Sequence, residues 1–286
     1  MSDVSLGSLA AALPDGSGVC VINLDERNDR WEEFQKRISP HFAGVPIIRV
    51  SATRGVDLPG YGERPLFRGK KRDKTWGARG GCVLSHRDAL IAGKENGWTH
   101  VLVLEDDVCL SAPEDTDFAV GLKKQLEQMN PEVCYFGFTD PVQPFRKEVE
   151  LGSGRAIHRV YGCNTGHAYL VSQSAIEAIL PRLPSAEGIW KWLTRHRAVD
   201  RFYYRNLSPE LVVTAISPPL INQMEGYSDI MGKQVSVSEA GHVTEVPEDT
   251  QLKGSYSAAL KQQAAKFRRE GIYDTVRGWL KYVRGF

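Results

Sequence analysis

Three acidic residues in a row, Glu105, Asp106 and Asp107, close the apolar run HVLVL at 100–104. Adjacent carboxylates repel one another, and a buried strand would set them at the rim of a sheet, so the triplet is costly unless a cation sits among them. In a strand or its first turn Glu105 and Asp107 project to one side and Asp106 to the other, so the first pair can face one ion. Oxygen-only ligands suit Mn2+ or Mg2+, which would bridge to a diphosphate and neutralise it as it leaves. A solvated loop after an edge strand is the alternative, and the apolar run before the acids argues against it.

Other residues invite a chemical reading. Ser85 and His86 fall inside a predicted helix over 78–96 that needs neither for propensity, which suggests contact with a ligand or with the acidic strand end; a satisfied core histidine is the other reading of His86. Asn23 and Leu24 end the apolar run GVCVINL at 18–24. Arg27 and Arg30 stand three apart on the helical turn that follows, where they could hold a bound group or pair with Glu26, Asp29 or Glu33.

The elements that would position these residues alternate. Strands are predicted at 18–24, 46–50, 100–104, 133–138, 157–161, 167–171 and 211–216. Helices are predicted from Asn28 or Asp29 to Ile38, over 78–96, 117–129, 173–182 and 188–206, and again from Tyr256. Apolar strands with polar chemistry at their C-terminal ends describe a doubly wound α/β plan, in which ligands sit beyond those ends.

The chain has 286 residues, enough for one sizeable α/β domain, with 42% hydrophobic and 25% charged residues and no repeat or low-complexity tract. Its net charge of +1 gives no bulk bias toward nucleic acid, and no nucleic-acid partner is expected. The five cysteines are odd in number and widely spaced, which speaks against a disulfide framework and a zinc site. The apolar stretch around Leu6 to Leu13 is a poor signal peptide and no run reaches the roughly 18 apolar residues of a membrane span, so a cytoplasmic protein is expected.

Several motifs then occur in order: VINLDERNDRW at 21–31, GGCVLSHRDAL at 80–90, VLVLEDDV at 101–108, GHAYLVS at 166–172, VD at 199–200 and INQMEGYSDI at 221–230. As an ordered set the chain resembles glycosyltransferase family 25, the family of bacterial lipooligosaccharide galactosyltransferases and of collagen-hydroxylysine galactosyltransferases; its length fits the compact bacterial type. The resemblance implies a GT-A-type, Rossmann-like fold with a mostly parallel central sheet flanked by helices. It also implies a UDP-sugar donor, a divalent cation, and usually inversion at the anomeric carbon. The acceptor would be a saccharide, a lipid-linked saccharide or a hydroxylated peptide. On this reading Glu105 and Asp107 hold the metal, while Asn23, Leu24, Arg27, Arg30, Ser85, His86, Asp106, Gln223 and Ser228 line the donor pocket. Asp200 is the candidate general base and Asp229 its competitor. A metal-dependent phosphohydrolase and a catalytically silent glycan-binding module are the rival readings.

In this division residues 1–17 form an N-terminal extension, 18–238 the catalytic domain, 239–255 a linker and 256–286 a basic amphipathic helical segment. Ile272, Val276, Trp279, Leu280 and Val283 make an apolar stripe on that segment, with Arg277, Lys281 and Arg284 on another face. The stripe either packs on the domain or lies on anionic lipid at the inner face of the membrane. A second basic cluster at 68–74 reads as a solvated loop, or as a clamp for an anionic ligand.

Overall fold

The computed structural model describes residues 8–111, 116–208, 210–224, 226–228, 233–235, 245–247 and 255–284. The helices are α1 (Ser8–Ala12), α2 (Asn28–Arg37), α3 (Asp73–Glu95), α4 (Thr116–Met129), α5 (Gln173–Ile179), α6 (Ile189–His196), α7 (Val199–Phe202) and α8 (Tyr256–Arg284). The strands are β1 (Ser17–Asn23), β2 (Ile47–Ser51), β3 (His100–Glu105), β4 (Val108–Leu110), β5 (Val133–Val142), β6 (Arg146–Gly152), β7 (Arg155–Arg159), β8 (Gly162–Ser172), β9 (Val213–Ser217), β10 (Ile221–Gln223), β11 (Gly226–Ser228) and β12 (Lys233–Val235).

Eight strands form one sheet in the order β2-β1-β3-β8-β5-β9-β7-β6. Their pairings leave β7 and β8 opposed to the other six, so the expected mixed α/β plan with a mostly parallel sheet holds. The centre is apolar on both faces. Val101 and Val103 of β3 join the core on the α3 side, and Leu102 and Leu104 join a second core with α1 and α4. All four are fully buried. Their burial contributes roughly 6–12 kcal/mol before entropy is counted, enough to fix the strand although it ends in three acids.

The same alternation aims those acids. Continuing the odd positions of β3 points Glu105 toward α3, whereas Asp106 follows the even positions toward α2. On the neighbouring β1, Val19 and Val21 face that second side, and Asn23 continues their row.

Three departures from the predicted elements bear on function. Helix α3 starts at Asp73, so the end of the basic cluster is helical. The predicted helix over 188–206 is interrupted: Arg197 adopts a φ of 73° and Ala198 is extended, after which α7 and a π-helical turn at Tyr203–Leu207 resume. The break sets Asp200 in the first turn of a new short helix. At the N-terminus, Leu9, Ala12 and Leu13 are buried in the second core, so residues 8–17 of that segment contribute to the domain. Most of 239–255 lies outside the described residues, but Val246 within it is buried and its N–H donates to Ser217 Oγ. Among the described residues no helix is long and apolar enough to cross a membrane.

Candidate functional site

The acidic triplet splits in two, as the alternation requires. Asp106 is buried and held: Asn23 Nδ2 donates to its Oδ2 at 2.6 Å, and Arg30 Nη1 to its Oδ1 at 3.0 Å. Asn23 is itself fixed by Arg49, whose Nε donates to Asn23 Oδ1 at 2.8 Å while its guanidinium reaches the Leu24 carbonyl and lies over the Trp31 ring. Burial still pushes the Asp106 carboxyl above its ordinary range, against the pull of Asn23 and Arg30.

Glu105 and Asp107 share the other side. The Gln223 amide donates to Glu105 Oε2 at 3.2 Å and approaches Asp107 Oδ1 at 3.5 Å. Gln223 arrives because β10 pairs antiparallel with β4, which sets it opposite Val108. Gly137 of β5 lets this happen: a Cβ there would stand 2.2 Å from the Ile221 carbonyl and 2.3 Å from His167 Nε2.

The two carboxylates are not equivalent. Burial pushes Glu105 up, but the contact with His86, whose Nε2 lies 3.6 Å from Glu105 Oε1, and the charges of His167 and Arg30 outweigh it and hold Glu105 below its usual value. Burial, then the charges of Glu105 and Asp106, push Asp107 up to about 7. Arg30 stands 3.8 Å from Asp107 Oδ2 and only partly offsets this. Without a cation the negative surroundings of Asp107 are met by a retained proton, and an all-oxygen pair in such a potential fits a hard divalent cation in that proton's place.

Behind the cluster, His86 of α3 is buried, with Nδ1 3.0 Å from the Tyr169 hydroxyl, which contacts the Tyr203 hydroxyl at 3.4 Å. Cys82, one turn earlier, brings its sulfur within 4.8 Å of the His86 and Glu105 donor atoms, a grouping that cysteine spacing alone did not suggest. Burial, then the charges of Glu105 and Asp200, hold that thiol well above 9. Ser85 has a structural task. Its hydroxyl donates to Gly81 O and accepts from Thr53 N, fastening the loop after β2 onto α3 where a Cβ on Gly81 would stand 2.1 Å from Thr53 O.

Asp200 lies on the same side as Cys82 and is firmly oriented: Oδ2 accepts the Thr165 N–H at 3.0 Å and Oδ1 the Arg201 N–H at 2.6 Å. A carboxylate offers about four lone-pair directions, so these two bonds leave room for an acceptor hydroxyl. Thr165 has a φ of 58°, which a β-branched residue adopts at a cost of about 1–3 kcal/mol, and its Oγ1 lies 3.1 Å from His167 Nδ1. Thr165, His167, Cys82 and Arg49 thus belong to the site although the sequence did not single them out. The motifs around Cys82 and His167 were the available signals for two of them.

The remaining expected residues fall as follows. The Arg27 guanidinium makes a two-bond pair with Asp29 at the surface. The Leu24 carbonyl closes the turn to Arg27. Ser228 lies on β11, opposite Lys233 of β12. Asp229 lies outside the described residues.

The fold and site together define an α/β protein with an acidic cluster at the C-terminal end of the central strand β3. No known protein family matches the chain, and no curated protein does. Among solved structures, the chain is similar to the A197 protein of STIV at 10% identity, covering 83% of this chain and 98% of that one, with a TM-score of 0.37. It is also similar to a structure described as a mannose-1-phosphate geranyltransferase from Thermus thermophilus, at 13% identity, 70% and 73% coverage and a TM-score of 0.36.

Proposed function

We propose that this chain transfers a hexose, galactose or glucose, from a UDP-sugar to an acceptor hydroxyl, with inversion and with a divalent cation. The reading rests on the resemblance of the ordered motifs to glycosyltransferase family 25, and one observation carries it. Glu105 and Asp107 meet at a single Gln223 amide at the end of a strand whose four central residues are buried, in a negative potential that Arg30 only partly offsets. Mn2+ or Mg2+ on that pair would neutralise the departing diphosphate.

The chain's own residues supply the rest. Asn23, Arg49 and Arg30 lock Asp106 on the opposite side, so the loop after β3 presents Asp107 rather than collapsing onto α2. His86 orients Glu105. Asp200, fixed by Thr165 N–H and Arg201 N–H, is set to take the proton of the attacking hydroxyl, a role worth roughly 10²–10⁴ in rate.

The test is nucleotide release from a panel of UDP, GDP and CMP sugars, with and without Mn2+. Cation-dependent release from one UDP-sugar supports the reading. Release of inorganic phosphate would favour a phosphohydrolase, and silence across the panel, with no stabilisation by UDP, a binding module.

A further inference from the structure

Helix α8 is amphipathic in an inverted sense. It docks through polar and small residues: Asp274 is buried and pairs with both Arg201 and Arg205, Glu270 pairs with Arg205, and Gly278 sits against Thr194 of α6. The apolar stripe points away. Ile272 is 70% exposed, Trp279 65%, Val276 55% and Val283 50%, and the stripe's breadth is extended by Leu280 and Tyr273, also exposed. Packing of the stripe onto the domain, one of the two readings its sequence permits, is therefore not what the fold does. Six large apolar side chains on one solvent-facing helical surface are unexplained in a free protein.

The positive charge lies along the same end of the helix. Lys281 stands over the Trp76 ring at 4.6 Å, and Arg79 over the same ring at 5.3 Å. Arg68 donates to the Val283 carbonyl at 3.2 Å, which ties the 68–74 cluster to the C-terminal end of α8. Lys70, Lys71 and Arg72 of that cluster are exposed. Burial, then crowding by Arg197, Arg277, Arg72 and Arg79, holds the Lys281 ammonium down to about 8. The two features that the active site leaves unused, the basic loop and the C-terminal stripe, are thus one surface, apolar along the helix and cationic beside its end.

We infer that this surface is the seat of an anionic phospholipid bilayer, with the stripe of Ile272, Val276, Trp279 and Val283 entering the interface and the exposed Arg277, Arg284, Lys70, Lys71 and Arg72 meeting lipid phosphates. Charge complementarity favours lipid over a second copy of the chain, because two copies facing through this surface would oppose their basic clusters. An interfacial helix needs an apolar face with basic residues at its border, and α8 presents both while staying docked through its opposite face. The inference does not depend on the transferase reading, since lipid contact can be measured without catalysis.

The experiment is vesicle flotation of the full chain with phosphatidylcholine alone and with phosphatidylcholine mixed with phosphatidylglycerol. Two variants accompany it: Val276→Glu with Trp279→Glu on the exposed stripe, and Arg277→Gln with Arg284→Gln, both exposed at its border. The chain should bind the anionic vesicles and bind neutral ones at least about tenfold more weakly. The stripe variant should lose binding, and the border variant should lose roughly fivefold per charge removed. Equal thermal melting of the stripe variant, whose changed side chains face solvent, shows that the fold is intact. Indifference of the full chain to anionic vesicles overturns the inference, as does undiminished binding by the stripe variant. A dimer that the stripe variant abolishes, without vesicle binding, overturns it in favour of a second copy.

Discussion

Replacing Asp107 by Asn should make the metal-free protein more stable, not less, while abolishing its response to Mn2+. The Asp107 carboxyl is raised from its ordinary 3.8 to about 7, by burial first and then by Glu105 and Asp106. That rise corresponds to about 4 kcal/mol against ionisation, and with the side chain still 24% exposed, screening brings the figure to about 2–4 kcal/mol. The sign follows from the folded state holding the proton more tightly than the unfolded chain. The cost is absent below pH 4, grows as pH rises toward 7, and is complete at pH 8. At pH 8 Asp107→Asn should therefore gain about 2–4 kcal/mol in urea unfolding without metal, and near pH 4 it should gain nothing. Mn2+ in hundredfold excess over its dissociation constant should stabilise the wild type by about 2.7 kcal/mol and leave the variant unchanged. A variant that is less stable than wild type at pH 8, or that still gains from Mn2+, refutes the assignment of Asp107 to a cation site.

Four further outcomes are expected. Asp200→Asn should lower transfer about 10²–10⁴-fold while UDP and Mn2+ still raise the melting temperature; transfer at the wild-type rate would remove Asp200 from the chemistry. Gly137→Ala puts a methyl group 2.2 Å from the Ile221 carbonyl, so urea unfolding should show a loss of about 1–3 kcal/mol, with weaker Mn2+ binding because Gln223 shifts with β10. Asp274→Ala leaves Arg201 and Arg205 without their shared carboxylate and should cost about 3–5 kcal/mol, with α8 becoming the first segment cut by protease. Burial, then the charge of Arg195, lowers His196 to about 4, so its contribution is complete above pH 6.5 and is lost as pH falls toward 4, by up to about 3 kcal/mol. A His196→Gln protein should lack that part of the acid sensitivity in a pH series of urea titrations.

The central strands and the acidic triplet were legible because burial on both faces writes itself as continuous apolar runs, and an acid at the end of such a run stands out. Strand β6 left no such trace: RKEVELG lies largely exposed at the sheet edge and is polar nearly throughout. The break at Arg197 is equally silent, since RHRAVD contains neither Gly nor Pro, and the left-handed turn there is imposed by the packing of α6 and α7. Asp106 and Arg30 were both visible as candidates, but their pairing across 76 residues depends on which way β3 and α2 face each other. Thr165 and Arg49 look ordinary in the sequence and acquire roles only through Asp200 and Asn23. For α8 the periodicity was plain and its direction was not, because the inward face is paid for by two arginines on a different element.

The docking of α8 through Asp274 also sets a reach. Arg201, which clasps Asp274, directly follows Asp200, so the candidate base is tied to the docked helix. If the outer face of α8 rests on a bilayer, the height of Asp200 above the lipid is fixed by one helix diameter plus one side-chain pair, on the order of 20 Å. An acceptor anchored in that bilayer would then be served only at hydroxyls standing near that height. Shorter anchored chains would fall below the site and longer ones would have to fold back, so a transferase seated this way would select acceptors by length as well as by chemistry.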